Sequence, residues 1–140
     1  MTIEEDQIKE LNSRVMVKLA PSNISGIGVV AIRNIHRGEK MHCEPSFKRK
    51  FYTVPLERFN ELNEEVGTLI KERWPSVVNL AYFQSPHDDA WPVLFMNHSE
   101  DPNYNWKTDC AIRDIQKGEE VTENYKLMKN YEKVHSFLCK

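Results

Sequence analysis

The chain has 140 residues, 40% of them hydrophobic and 29% charged, with a net charge of -2; a domain of that size buries about two thirds of its unfolded surface around one core. So balanced a charge supplies no whole-molecule field toward nucleic acid or an anionic membrane, and no apolar stretch approaches the ~20 residues that span a bilayer. Three widely spaced cysteines, Cys43, Cys110 and Cys139, argue against a disulfide framework, and with a start too acidic for an export signal they lead to the expectation of a soluble, intracellular protein forming a single domain over residues 1–140.

Residues 1–12, charged but carrying Ile3, Ile8 and Leu11, read equally as a short helix or a frayed end. Val15 to Leu19 reads as a strand that Pro21-Ser22-Asn23 breaks, and Gly26-Ile27-Gly28 follows as a turn in which the backbone takes positive φ. Val29 to Ile35 is β-rich, and Lys40 to Glu44 begins another strand. From Pro55 the period changes. Leu56, Phe59, Leu62, Val66, Leu69 and Ile70 recur every three or four residues, which predicts an amphipathic helix over about 55–73, its stripe packed on the sheet and Pro75 beyond its end.

Asn79 to Gln84 and Val93 to Met96 read as short strands around the polar loop Ser85 to Asp89, and Cys110 to Ile115 as another. Lys126 to Phe137 has helical spacing. Arg113-Asp114-Ile115 before Gly118-Glu119 echoes Arg33-Asn34-Ile35 before Gly38-Glu39, as a strand ending in a tight turn does when it is used twice. The fold class is mostly β: several short twisted sheets with one main helix and a C-terminal helix.

Three segments carry chemistry. The first is Ser25-Gly26-Ile27-Gly28, running into Val29 to Ile35 and Arg37-Gly38-Glu39; the second is Asn97-His98-Ser99-Glu100-Asp101-Pro102-Asn103; the third is Gly118-Glu119-Glu120-Val121-Thr122-Glu123-Asn124-Tyr125. Taken singly they are weak. Asn97-His98-Ser99 and Asn23-Ile24-Ser25 fit a glycan acceptor, but a chain without an export signal has no use for one, and Gly26-x-Gly28 lacks the third glycine of a dinucleotide fingerprint.

In that order, however, the three resemble the signature of the SET domain family of protein lysine methyltransferases, over Val15 to about Tyr125, with residues 1–12 as a lead and 126–140 as a tail. The resemblance implies a β-clip-like SET fold, with the tyrosine-bearing segment passing beneath a preceding loop as a pseudoknot. It implies S-adenosyl-L-methionine as methyl donor, held by Gly26, Ile27, Gly28, Asn97, His98 and Tyr125, and Tyr125 as the catalytic residue, orienting the methyl group with a protonated hydroxyl. A lysine channel with aromatic walls is expected from among Tyr82, Phe83, Trp91, Tyr104 and Trp106, with Tyr82 and Trp106 the named members and Glu123 beside them.

The chain departs from the family pattern in three places. Glu100 stands where chromatin-directed members often carry cysteine, which makes this chain look most like the small stand-alone bacterial and viral forms. Glu123 stands where an apolar or aromatic residue is usual, and Asn124 where aspartate is frequent. No zinc-binding cysteine cluster follows Tyr125, and the five histidines show no ligand spacing, so no metal is expected. The donor site is then closed by the tail, where Tyr131 or Phe137 would stack on adenine, or by a second copy in a homodimer. The expected partner is a lysine-bearing protein or peptide, histone-like, ribosomal or otherwise basic, with no direct nucleic-acid or membrane contact. The alternative is an inactive SET-fold module that binds a peptide or the cofactor without turnover.

Overall fold

The computed structural model describes residues 2–43, 51–73, 76–77, 80–84 and 92–127. Helix α1 (Ile3–Arg14) opens the chain and settles the choice left open for its first residues. The Thr2 hydroxyl accepts from the Glu5 amide and the Glu5 carboxylate from the Thr2 amide, both at 3.1 Å, so a reciprocal cap satisfies two orphan donors while Glu4, Glu5 and Asp6 face the positive end of the helix dipole. Ile8 and Leu11 are buried.

Strands β1 (Val17–Pro21) and β2 (Ile27–Ala31) form an antiparallel hairpin, and β2 pairs in turn with β9 (Glu120–Glu123). On its other edge β9 takes β6 (Asn97–His98) in parallel, with Asn97 opposite Thr122 and His98 opposite Glu123, completing a four-stranded sheet ordered β1-β2-β9-β6. A second sheet has the order β3-β5-β4, from β3 (Phe51–Pro55), β4 (Ser76–Val77) and β5 (Leu80–Gln84). A third pairs β7 (Tyr104–Asn105) with β8 (Cys110–Ala111).

The two echoing turns meet face to face. Ile35 and Ile115 exchange both backbone hydrogen bonds at 2.8 Å. Asn34 Oδ1 accepts from the Lys117 amide and Asp114 Oδ1 from the Arg37 amide, again at 2.8 Å each. The Gly38 amide bonds the Ala111 carbonyl as the Gly118 amide bonds the Ala31 carbonyl, and both glycines hold the positive φ that a side chain would strain, +83° and +89°. The repeat is thus a local two-fold that fixes β2 and β9 to each other.

Four expectations need correcting. The strand read over Cys110 to Ile115 is β8 at Cys110–Ala111 alone, followed by a bend and the single bridge of Ile115 to Ile35. The helix predicted over 55–73 is two pieces, a 3-10 turn at Leu56–Glu61 and α2 at Glu64–Arg73, with Leu62 extended between them. Asn12 of α1 pins the break: its Oδ1 accepts from the Asn63 amide at 2.7 Å and its Nδ2 donates to the Glu61 carbonyl at 2.9 Å. Val93 to Met96 is not a strand; Pro92, whose fixed φ suits a first helical turn, starts a 3-10 turn at Pro92–Phe95. Among the described residues the strand from Lys40 reduces to one bridge with Cys110, because His42 takes φ +55° and turns the chain away, while Glu44 lies outside them. The C-terminal helix expected after Lys126 lies outside the described residues beyond a 3-10 turn at Tyr125–Leu127.

Two buried clusters result. One joins Ile8 and Leu11 of α1 to Tyr52 and Val54 of β3 and to Phe59, Leu62, Val66 and Ile70, so the predicted stripe does pack on one face despite the break. The other gathers Met16, Val29, Ala31, Ile35, Met96, Tyr104, Ile115 and Val121 beneath the four-stranded sheet. At about 1.5–3 kcal/mol per large side chain, this second cluster is what holds the sheet bearing the candidate site.

Candidate active site

Side chains alternate across a strand, so β9 offers two different faces. Glu120 and Thr122 lie on one and Val121 and Glu123 on the other, and β6 follows suit: Asn97 reaches Glu120 while His98 stands beside Glu123.

On the first face, the Glu120 carboxylate accepts from the Ser22 hydroxyl at 2.7 Å and from Asn97 Nδ2 at 2.9 Å. Asn97 Nδ2 also lies 3.1 Å from the Ser25 carbonyl oxygen and 3.5 Å from that of Ile27. Ser22 closes the loop by accepting from the Ile24 amide at 2.9 Å, and Gly26 turns it at φ +49°. A Cβ on Gly28 would stand 2.7 Å from Glu120 Oε2 and 3.1 Å from Asn97 Nδ2, so the bare backbone there admits these two side chains. At Gly26 the same position meets open space. The turn Gly26-Ile27-Gly28 and Asn97 are therefore in contact, joined by two residues that the motif reading did not single out, Ser22 and Glu120. Only strand alternation could have flagged Glu120.

On the second face, His98 Nδ1 accepts from the Tyr125 amide at 3.1 Å, and the two rings lie 5.3 Å apart between centroids. An acceptor Nδ1 in a neutral ring leaves Nε2 as the N–H. That atom is buried, and its nearest acceptor among the described residues is Glu100 Oε1, 3.5 Å away. The Tyr125 hydroxyl donates to the Met96 carbonyl. Burial, then the charge of Glu123, push the Tyr125 phenol above its ordinary range, so it is protonated at neutral pH.

Glu123 is 3% exposed, its Oε2 has no hydrogen-bond partner among the described residues, and burial raises its carboxyl to about 7. Its backbone carbonyl accepts from the Ser99 amide at 3.0 Å. Asn103 at the end of the Asn-His motif is buried and stitches it to β9, donating to the Glu120 carbonyl at 2.8 Å and accepting from the Thr122 amide at 2.9 Å. Glu100 is held below the usual carboxylate range chiefly by Lys126, 2.5 Å away.

The expected aromatic wall divides. Trp106 packs against the second cluster with Nε1 buried and unbonded among the described residues. Tyr104 is a core residue, 1% exposed, whose hydroxyl donates to Asp109 at 2.8 Å, and is not free to line a channel. Tyr82 sits on β5, opposite Thr53 in the three-stranded sheet; its side chain, that of Phe83, and Trp91, Tyr131 and Phe137 lie outside what the structure describes.

Two solved structures to which the chain is similar are a Plasmodium falciparum protein described as a putative histone methyltransferase, at 18% identity and TM-score 0.39, covering 81% of this chain and 95% of that one, and the Chaetomium thermophilum Polycomb Repressive Complex 2, at 18% identity and TM-score 0.38, covering 87% of this chain but only 17% of the longer one. No curated relative matches the sequence. The model of the SET domain matches residues 26–126, which contain both faces of β9 and every residue that meets on them except Ser22 and Ser25; the chain belongs to the SET domain family.

Proposed function

We propose that this chain transfers a methyl group from S-adenosyl-L-methionine to the side-chain amine of a lysine in a protein or peptide. The supporting observation is the parallel pairing of β6 with β9, which sets the Asn97 amide on one side of the sheet and the His98–Glu123–Tyr125 group on the other. Polar atoms poorly met among the described residues favour a ligand: Glu123 Oε2 is a buried acceptor without a partner and His98 Nε2 a buried donor with only Glu100 Oε1 at 3.5 Å before it, and such atoms cost ~1–3 kcal/mol each unless something meets them.

When bound, the donor supplies an activated methyl on a sulfonium. In this reading Gly26, Ile27, Gly28 and Asn97 hold its methionine end through backbone and amide groups, and His98 supplies polar contacts to the rest. Tyr125, protonated and fixed by its bond to Met96, positions rather than deprotonates; alignment of this kind lowers barriers by several kcal/mol. Burial around the amine disfavours its ammonium form and excludes water.

Tritiated methyl transfer from S-adenosyl-L-methionine to mixed core histones and a lysine-peptide pool, with calorimetry of donor binding, tests the reading. Tyr125→Phe lowers turnover at least ~10-fold with donor affinity kept; unchanged turnover removes its role. A second reading, a module that binds without turnover, draws on the buried carboxylate at Glu123, where the resemblance expects an apolar or aromatic residue. Donor binding with no transfer to any substrate favours it.

A further inference from the structure

If methyl transfer is accepted as the reaction, the incoming lysine must lose a proton inside a dry site, and the groups around β9 differ in their capacity to take it. The Tyr125 phenol is already protonated and donates to Met96. His98 Nδ1 has spent its lone pair on the Tyr125 amide, and Nε2 of the neutral ring then carries a hydrogen. Glu100 is exposed and paired with Lys126. On the other flank of β9, strand β2 is Ile27-Gly28-Val29-Val30-Ala31 and offers no titratable side chain. Two carboxylates keep a buried oxygen without a partner among the described residues: Asp109 lies in the turn between β7 and β8, with its other oxygen taken by the Tyr104 hydroxyl, and Glu123 stands on β9 itself, two residues from the tyrosine and opposite His98.

We propose that Glu123 receives the substrate's lysine ammonium and takes its proton, and thereby confines the site to amines that still carry an N–H. The proton passes from nitrogen to Oε2, the nitrogen keeps its electron pair, and the carboxylate becomes a neutral acid that returns the proton to water after turnover. A carboxyl raised to about 7 is poised to exchange a proton at neutral pH, since general bases work best near the operating pH. Unmethylated, monomethylated and dimethylated lysine each bring an N–H to that oxygen as ammonium ions and are accepted, whereas a trimethylated lysine brings none and is not held.

The test reads Glu123 directly. In protein carrying carbon-13 in its glutamate carboxyl groups, with Glu123→Gln identifying the resonance, the carboxyl titrates near 7. The midpoint falls when n-butylammonium is added as a lysine side-chain probe, and falls less with n-butyltrimethylammonium, which has no N–H. In activity, Glu123→Gln lowers kcat/KM for lysine peptide about 100-fold at pH 7 and moves the acidic limb of the pH profile up toward the range of the lysine amine itself, donor affinity being unchanged; Glu123→Asp restores part of both. A midpoint at the ordinary carboxylate value, one indifferent to the amine, or a Glu123→Gln profile superimposable on the wild type overturns the inference while leaving methyl transfer standing. Amine-responsive titration in a wild-type protein that transfers no methyl sinks the transfer reading and upholds the amine site.

Discussion

At the scale of single residues, the buried carboxylate of Glu123 sets stability against chemistry. Its folded-state value of about 7 lies above the ordinary 4.5, so between those limits the folded chain holds a proton that the unfolded chain has released. Stability therefore falls as pH rises through that window, and above about 7 the full cost of burying the charge, ~3 kcal/mol, is present. Glu123→Gln has no charge to bury: its urea midpoint matches the wild type at pH 5 and exceeds it at pH 8, and parallel pH curves for the two proteins disprove the coupling. A substitution that stabilises the fold while slowing the reaction is the expected trade at a functional position. The motifs made Asn97, His98 and Tyr125 legible beforehand, because each is a distinctive residue at a fixed place in an ordered pattern. They said nothing of whether Glu123 turns inward, since that depends on the strand face and on the burial of Val121 beside it, which only pairing with β2 and β6 decides.

Between elements, the decisive contact is that of the loop after β1 with β9 and β6, made by Ser22, Glu120 and Asn97 over Gly28. Both Glu120 oxygens are engaged, so the carboxylate cannot swing away without losing a bond. Gly28→Ala sets a methyl group 2.7 Å from Oε2 and costs ~1–3 kcal/mol. In a Glu120→Ala background the same change is neutral or gains up to ~1 kcal/mol, because alanine narrows the unfolded ensemble. The double-mutant cycle thus returns a coupling of at least ~1 kcal/mol, and additive losses by chemical denaturation refute the contact. Sequence pattern did well for elements whose signal is local. The period of Phe59, Leu62, Val66 and Ile70 correctly gave one buried face, whereas the break at Leu62 escaped it because Asn12, some fifty positions earlier, supplies the competing hydrogen bonds. Helix α1 carried its own mark in Thr2-x-x-Glu5, a reciprocal cap that composition obscures.

In the molecule as a whole, two apolar clusters divide the work: one packs α1, β3 and α2 together, the other supports the four-stranded sheet and holds Met96, whose carbonyl takes the Tyr125 hydroxyl. Stability and ligand response are therefore separable by mutation. Leu11→Ala empties a site in the first cluster and costs about 2–5 kcal/mol. Its cluster contains no residue of β9, so the rise in thermal midpoint expected from S-adenosyl-L-methionine persists; at a hundred times the dissociation constant that rise corresponds to about 2.7 kcal/mol. Asn97→Ala does the opposite. It gives up the bonds to Ser22, Ser25 and Glu120, lowering stability by ~1–3 kcal/mol, and the donor no longer shifts the midpoint because the amide proposed to hold it is gone. Thermal melts of both variants with and without donor read the two effects side by side. Loss of the donor-induced rise in Leu11→Ala shows that the first cluster, too, organises the site, and its survival in Asn97→Ala removes Asn97 from the binding surface.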